Sequence, residues 1–250
     1  MHVCGLTRAR LITLADTPLS PEQDRQLEAL IERRCNGEPV AYLVGAREFW
    51  SLLFRVSPAV LIPRPETELL VEQTLASLSP TADSSIADLG TGSGAIAIAV
   101  AHERPRCRVV AVDASGDALE VACDNARRLG VTNIEFRQGD WFAPLANLRF
   151  DAIVSNPPYI RIGDPHLVQG DVRFEPHAAL VSGHDGLDAV RRIVADARAH
   201  LHPNGRLLLE HGYDQAQAIA ELMQRAGFDN VAAQRDLAGH ARVTTGVNPC

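Results

Sequence analysis

Lysine is absent: all 24 basic side chains are arginine. No chemistry in the chain calls for that choice, so it reads as a compositional bias. Long apolar runs are absent too. No stretch reaches the roughly 18 residues that a transmembrane helix needs. The opening Met1-His2-Val3-Cys4-Gly5 lacks the basic and apolar regions of a signal peptide. The five cysteines, at 4, 35, 107, 123 and 250, are scattered, odd in number and without C-x-x-C spacing. That excludes a disulfide framework and a zinc site, and it suits a reducing cytoplasm. Positive charge is also in short supply, 24 basic against 31 acidic residues for a net charge of −7. Residues 1–64 hold 8 arginines against 7 acids, and the remainder holds 16 against 24. A protein held on nucleic acid by phosphate contacts is usually basic, so no direct nucleic-acid partner is expected.

The 250 residues, 46% of them hydrophobic, suffice for one α/β domain with a small appendage. Ser20-Pro21-Glu22-Gln23 supplies an N-cap, a proline at the first helical position and a capping-box Gln. Leu27, Leu30 and Ile31 mark one apolar face, and Asn36-Gly37 marks a stop. Residues 47–62 read as a hairpin or extended linker, and Pro63-Arg64-Pro65 opens a predicted helix to about Leu78. Beyond that, short apolar runs at 86–89, 108–112, 134–137, 150–154 and 206–209 alternate with helical patterns at about 94–103, 115–129, 185–201 and 214–226. Two last strand candidates lie around Val231 and at Arg242-Val243-Thr244-Thr245, close enough to pair as an antiparallel hairpin. The pattern predicts an α/β fold: a doubly wound, mostly parallel seven-stranded sheet. The expected divisions are a small N-terminal helical domain over 1–46, a connector over 47–62 and the sheet domain over 63–250.

Two places carry chemistry. Asp88-Leu89-Gly90-Thr91-Gly92-Ser93-Gly94 ends a strand and opens a helix, where glycines let the chain turn tightly and a ligand approach the helix N-terminus. Gly90, Gly92 and Ala95 satisfy a dinucleotide pattern, while Gly90, Gly92 and Gly94 satisfy an S-adenosylmethionine pattern. Asp113, at the next strand end, suits the ribose of either cofactor. Asp140 and Trp141 end the third strand candidate and offer an acceptor and a flat face to an adenine. The second place is Asn156-Pro157-Pro158-Tyr159, at the carboxyl end of the fourth strand candidate. Two prolines fix φ twice and remove two donors, leaving a carbonyl and the Asn amide oxygen as converging acceptors for an –NH₂ group. Tyr159 offers a π-face to the planar group that carries it. Orientation and stabilisation of developing positive charge would let such a weak nucleophile attack a methyl group. Alone, the tetrapeptide leaves an adenine amine and a glutamine amide equally open.

These motifs resemble the amino-methyltransferases that carry N-P-P-Y, and more narrowly the protein-(glutamine-N5) methyltransferases of peptide chain release factors. Gly37-Glu38-Pro39-Val40-Ala41-Tyr42, Arg47-Glu48-Phe49-Trp50 and Leu61-Ile62-Pro63-Arg64-Pro65-Glu66-Thr67-Glu68 carry the narrower likeness. Gly183-His184-Asp185-Gly186-Leu187 and Leu208-Leu209-Glu210-His211-Gly212 extend it over nearly the whole chain. The resemblance implies a class I, Rossmann-like methyltransferase that moves a methyl group from S-adenosylmethionine to N5 of the Gln in a release factor's Gly-Gly-Gln tip, leaving S-adenosylhomocysteine. It implies that Gly90, Thr91, Gly92, Ser93, Gly94, Asp113 and Trp141 line the cofactor site. Asn156 would then bind the amide, with Pro157, Pro158 and Tyr159 completing the substrate slot. Asp88 and Asp140 join the cofactor site by strand-end position. Arg64, Glu66, Arg173 and Glu175 receive no role. Set beside that family, the chain is expected to start partway through a longer helical domain, the part expected to dock the protein substrate. A cytoplasmic monomer without metal is expected. The competing readings are a Gln methyltransferase of a ribosomal protein, an adenine-N6 methyltransferase, a nicotinamide dehydrogenase and a binding module without activity.

Overall fold

The computed structural model describes residues 1–14 and 16–250. Its first part is helical: α1 (Arg8–Thr13), α2 (Pro21–Cys35) and α3 (Val40–Val44). The capping box of α2 is formed, with Ser20 Oγ accepting from Gln23 N at 3.2 Å and Gln23 Oε1 accepting from Ser20 N at 3.0 Å. Neither α1 nor α2 has a buried residue. A two-stranded hairpin follows, β1 (Ala46–Phe49) and β2 (Leu52–Arg55). Its turn residues Trp50 and Ser51 both have positive φ, as tight hairpin turns require. Glu68 fastens that turn, accepting from Trp50 N at 2.8 Å.

The helix expected from Pro63 begins later. Arg64 precedes a proline and is extended (φ −99°, ψ 143°), because the Pro ring disfavours the helical region one residue upstream. A single 3₁₀ turn, Pro65–Thr67, leads instead into α4 (Glu68–Ser77).

The main sheet contains β3 (Ser85–Leu89), β4 (Arg108–Asp113), β5 (Ile134–Gln138), β6 (Phe150–Ser155), β7 (Leu201–Glu210), β8 (Asp229–Arg235) and β9 (Ala241–Val247). Their order is β5-β4-β3-β6-β7-β9-β8, parallel from β5 to β7 and antiparallel at β9 and β8. The helices α5 (Ala95–Glu103), α6 (Gly116–Arg128), α7 (Asp188–Ala197) and α8 (Ala216–Arg225) complete the alternation. The doubly wound, seven-stranded sheet predicted from sequence is therefore present.

Strand side chains alternate between two cores. Ile86, Val109, Ala111, Ala152 and Val154 face one side, with α4, α5 and the hairpin's Phe49 and Phe54. Ala87, Val110, Val112, Ile153 and Leu207 face the other, with α7 and α8. Burial on both faces explains why these strands read as unbroken apolar runs. After β3 the chain winds outward through β4 and β5, then returns to β6 on the other side of β3. Parallel sheets bind ligands at such a reversal, outside the carboxyl ends of the strands. Both chemical motifs of the sequence lie there.

Candidate active site

The glycine loop is held by the neighbouring strand. Gly90 N and Thr91 N both donate to Val112 O, at 2.8 and 2.9 Å. Gly94, with φ +80°, caps α5, and a Cβ there would lie 2.9 Å from Ile98 Cδ1 and 3.1 Å from Ala122 Cβ. Only glycine lets α5 and α6 approach this closely. Asn125, fully buried on α6, donates to Ser93 O at 2.9 Å and to Arg55 O at 3.0 Å, and accepts from Arg55 N at 2.7 Å. One side chain thus ties the loop, α6 and the hairpin together.

Asp113 is fixed before any ligand arrives. Its Oδ2 accepts from Gly92 N at 2.8 Å and its Oδ1 from Ser115 N at 2.9 Å. Each oxygen keeps acceptor capacity for a donor such as a hydroxyl. Trp141, at φ +49°, turns its indole against Gly90. Asp140 Oδ2 accepts from Arg192 Nη2 of α7 at 2.5 Å.

A cavity of about 300 Å³ runs from this loop towards β6. Gly90, Thr91, Gly92, Ser93, Asp113, Asp140 and Trp141 line it, and so do Asn156 and Pro158. The apolar side chains of Val60, Leu61, Pro63, Ile96 and Ala118 form much of the rest. A fixed carboxylate, a flat indole and an apolar wall together fit a nucleoside, and the cavity is near the lower end of the usual size range for small-molecule sites.

Four of the residues assigned to the site from sequence stand outside that lining. Gly94 and Pro157 are buried and do not line it. Tyr159 is half-buried, its carbonyl accepting from Gln215 Nε2 at 3.0 Å and pressed so closely on Gly186 that a Cβ there would lie 2.3 Å away. Burial, with Glu210 next in weight, pushes the Tyr159 hydroxyl up to about 12. Asp88 lies inside the protein, where its Oδ2 accepts from Thr91 Oγ1 at 2.6 Å and from Ala97 N at 3.2 Å. It braces the loop from beneath instead of facing the cavity, and burial pushes its carboxyl up to about 7.

The floor of the slot is a buried cluster at the end of β6. Ser155 Oγ donates to Leu89 O at 2.6 Å, joining β6 to β3. Asn156 Nδ2 donates to Thr67 Oγ1 at 3.2 Å, and Thr67 is buried at the end of the 3₁₀ turn. Glu210, 2% exposed at the end of β7, is buried beside Asn156, because Ser155 and Leu209 are partners in the β6–β7 ladder. Sequence reasoning gave Glu210 no role. The available signal was an acid directly after the apolar run Leu207-Leu208-Leu209, at a strand end where such folds place ligands.

Arg64 and Glu175 also gain a place. Arg64 lines the cavity, and its Nη2 donates to both Glu175 oxygens at 2.7 and 2.6 Å. The Glu175 side chain is wholly buried. The pair joins the strand-like segment before α4 to the run of 3₁₀ turns over 165–179 that supplies Pro176, Ala178 and Ala179 to the wall. Arg173 bridges outward instead, donating to Asn36 O at 2.7 Å. Glu66 is exposed beside the floor cluster.

Known proteins match the chain over its whole length. Residues 80–241 match the family model described as a methyltransferase domain, and residues 1–45 match the PrmC N-terminal domain. The release factor glutamine methyltransferase of Xylella fastidiosa is 52% identical over 100% of this chain and 90% of its own length. That of Escherichia coli is 51% identical over 98% of this chain and 88% of its own. Among solved structures, a methyltransferase from Pyrococcus furiosus superposes with a TM-score of 0.60 at 18% identity, over 88% of this chain and 98% of that one.

Proposed function

Because the chain belongs to the release factor glutamine methyltransferase family, we propose that it methylates N5 of the glutamine in the Gly-Gly-Gln tip of peptide chain release factors, using S-adenosylmethionine. The observation that carries this reading is the position of Asn156. Its amide nitrogen is bonded inward to Thr67, while the residue lines the same cavity as Asp113 and the glycine loop. The inward bond leaves the amide oxygen as the end that can receive a substrate N–H.

In this reading S-adenosylmethionine, when bound, supplies a methyl group on a positively charged sulfur. Asp113 accepts the ribose hydroxyls with the capacity left over from Gly92 and Ser115. Trp141 covers one face of the adenine, and Asp140 accepts from its amino group. Gly90, Thr91, Gly92 and Ser93 form the wall along which the cofactor chain runs. Asp88 and Gly94 act through the shape of that loop.

Asn156 Oδ1 accepts one hydrogen of the glutamine –NH₂ and the carbonyl of Pro157 accepts the other. Pro157 and Pro158 have no N–H to compete for those acceptors. Tyr159 flanks the flat amide where the slot continues beyond the cavity. An amide nitrogen is a poor nucleophile, and two fixed acceptors favour the geometry in which its lone pair meets the methyl carbon in line. They also stabilise the positive charge that grows on nitrogen. The nitrogen gains a bond to the methyl carbon as the sulfur–carbon bond breaks, its electron pair staying on sulfur in S-adenosylhomocysteine. The nitrogen gives up one hydrogen as a proton to water.

The N-terminal helices, residues 1–46, dock the body of the release factor, and the hairpin region 47–62 joins them to the catalytic domain, 63–250. The working unit is a cytoplasmic monomer. Its cysteines are all free, which suits a reducing compartment. Among the described residues no helix is long and apolar enough to cross a membrane.

Mass spectrometry of a release factor incubated with this protein and S-adenosylmethionine tests the reading. A gain of one methyl group on the Gly-Gly-Gln glutamine is expected. Asn156→Ala should lower the rate by about 10²- to 10³-fold, the scale of losing one fixed hydrogen-bonding partner of a developing charge, while still binding S-adenosylhomocysteine. Unmodified glutamine under conditions where the cofactor binds would sink it.

A further inference from the structure

The proposed use of the site engages Asn156 and leaves the acid behind it unexplained. Glu210 ends β7 beside Asn156, since Ser155 and Leu209 are partners in the β6–β7 ladder. A carboxyl group buried in this way is costly unless it has partners or a task. Its Oε2 has no hydrogen-bond partner among the described residues. Apolar residues could have filled this volume at the base of a sheet, so an acid here calls for a reason.

Asn156 Nδ2 donates to Thr67 Oγ1, which leaves the hydroxyl hydrogen of Thr67 free to turn towards the neighbouring carboxyl. An ionised carboxyl can only accept, so it favours the arrangement in which both neighbours turn their hydrogens inward. A glutamine at 210 would bring donors of its own and let the Asn156 amide turn over.

The geometry points to Glu210 as a positioning residue for methyl transfer: it keeps the Asn156 oxygen turned to the substrate nitrogen and places a negative charge behind the site where positive charge grows. The inference rests on the reading of Asn156 as the acceptor of the glutamine amide. Glu210 does not line the cavity, so it acts through Asn156 and not on substrate directly.

Its surroundings set when that charge is present. Burial pushes the carboxyl up to about 7, Thr67 and Asn156 hold it down by hydrogen bonding, Arg242 of β9 favours the charged form, and Glu66 opposes it. Tyr159, after β6, is a neutral neighbour at this pH, its own hydroxyl being pushed up to about 12. His211, next along the chain, bonds through its ring nitrogens to Gly212 O and Thr244 Oγ1 at 2.8 Å each, and burial favours its neutral form. The turnover rate should therefore climb as pH rises through about 7 and level off above it.

Two measurements on the full chain decide the matter. The first follows the ¹⁵N side-chain amide signal of Asn156, assigned by its loss in Asn156→Ala, from pH 5.5 to about 8.5. A shift centred near the carboxyl's titration in the wild type and none in Glu210→Gln is expected; an Asn156 signal that ignores pH would overturn the proposal. This readout needs no substrate, so it stands whether or not release factors prove to be methylated. The second compares kcat and KM with a release factor as substrate. Glu210→Gln should lower kcat about 10- to 100-fold, as loss of an outer partner of a functional side chain does. Its pH profile should be flat, and KM and S-adenosylhomocysteine affinity should be unchanged. Glu210→Asp, which keeps the charge, should recover part of the rate and the pH dependence. A Glu210→Gln protein that binds S-adenosylhomocysteine normally and keeps the wild-type rate and profile would show Glu210 to be a bystander. A wild type that shows the amide shift but leaves release factors unmodified would instead overturn the proposed function alone.

Discussion

The two ends of the cavity are built by different means. At the glycine loop, backbone N–H groups within one strand–helix–strand unit do most of the holding: Gly90 and Thr91 on Val112 O, Gly94 on Thr91 O, and Gly92 and Ser115 on the Asp113 carboxylate. At the Asn156 end, side chains from distant segments do the holding. Thr67, Glu175 and Gln215 reach in from 56 to 111 residues away, to Asn156, Arg64 and Tyr159, and Glu210 is buried beside Asn156. The first construction draws on residues close along the chain, the glycines with Asp88, Asp113 and Asn125 beside them. The second depends on buried polar groups, each exposed to loss if one partner changes. A small ligand needs only the first. Recognition of one amide in a protein chain needs the second.

Arg64→Ala should break this comparison hardest. It strips the wholly buried Glu175 of its only ion-pair partner among the described residues while leaving every backbone contact of the glycine loop in place. Breaking a buried pair typically costs about 3–5 kcal/mol. Arg64 keeps 31% of its side chain exposed, which puts the expected loss at about 3 kcal/mol, the lower end of that range. Burial already raises Glu175 above the usual carboxylate range, against the pull of Arg64. A raised carboxyl stabilises the native state below its unfolded pKa and loses that contribution as pH rises. The deficit of Arg64→Ala should therefore shrink in acid, where Glu175 takes up a proton. Denaturant midpoints at two pH values measure it; a loss under about 1 kcal/mol at neutral pH would mean that water reaches Glu175 and that the substrate end is looser than described.

Asp88→Asn probes the other end and should act in the opposite sense. The folded protein holds the Asp88 proton up to about 7, whereas the unfolded chain releases it near the ordinary value of 3.8. Between those limits the native state binds more protons than the unfolded state, so stability falls as pH rises. An asparagine keeps an oxygen for Thr91 and Ala97 and removes the buried charge. Relative to wild type, the variant should be near parity at pH 4 and gain about 2 kcal/mol by pH 8, a discounted share of a shift worth about 1.4 kcal/mol per pH unit. Thermal unfolding across that range would show it, and a difference that does not grow with pH would mean that Asp88 is ionised in the native state throughout.

The same division decides what the sequence could reveal. Strands β3, β4 and β6 are buried on both faces and read directly as apolar runs, and the glycine loop and Asp113 are local to their ends. Asn156-Pro157-Pro158-Tyr159 is equally local. Asp88 was legible as a strand-end acid, but its direction was not, because alternation along β3 points it towards α5 and away from the cavity. Thr67 and Glu210 become neighbours of Asn156 only when β6 and β7 pair and the 3₁₀ turn folds beneath them. No periodicity encodes that meeting. The late start of α4 was legible in Arg64-Pro65, through the restraint a proline places on the residue before it. The 3₁₀ turns over 165–179 carry no regular pattern, and what fixes them is Glu175 under Arg64.

Arg34→Ala should have the smallest effect and define where the substrate end stops. Arg34 Nη1 bonds to Asp171 at 2.9 Å, from the last turn of α2 to the same 3₁₀ segment that Glu175 anchors. By distance alone the pair looks as good as Arg64 with Glu175. Its side chains, however, are 48% and 45% exposed. Water solvates both charges when the pair is broken, and holding two long side chains in one geometry carries an entropy cost, so exposed pairs contribute about 0–1 kcal/mol. A loss below about 0.5 kcal/mol in denaturant unfolding, with kcat on a release factor unchanged, is expected. A larger loss, or a fall in kcat, would mean that the N-terminal helices help to hold the cavity wall, and the boundary of the catalytic unit would then move back from Pro63 into α2.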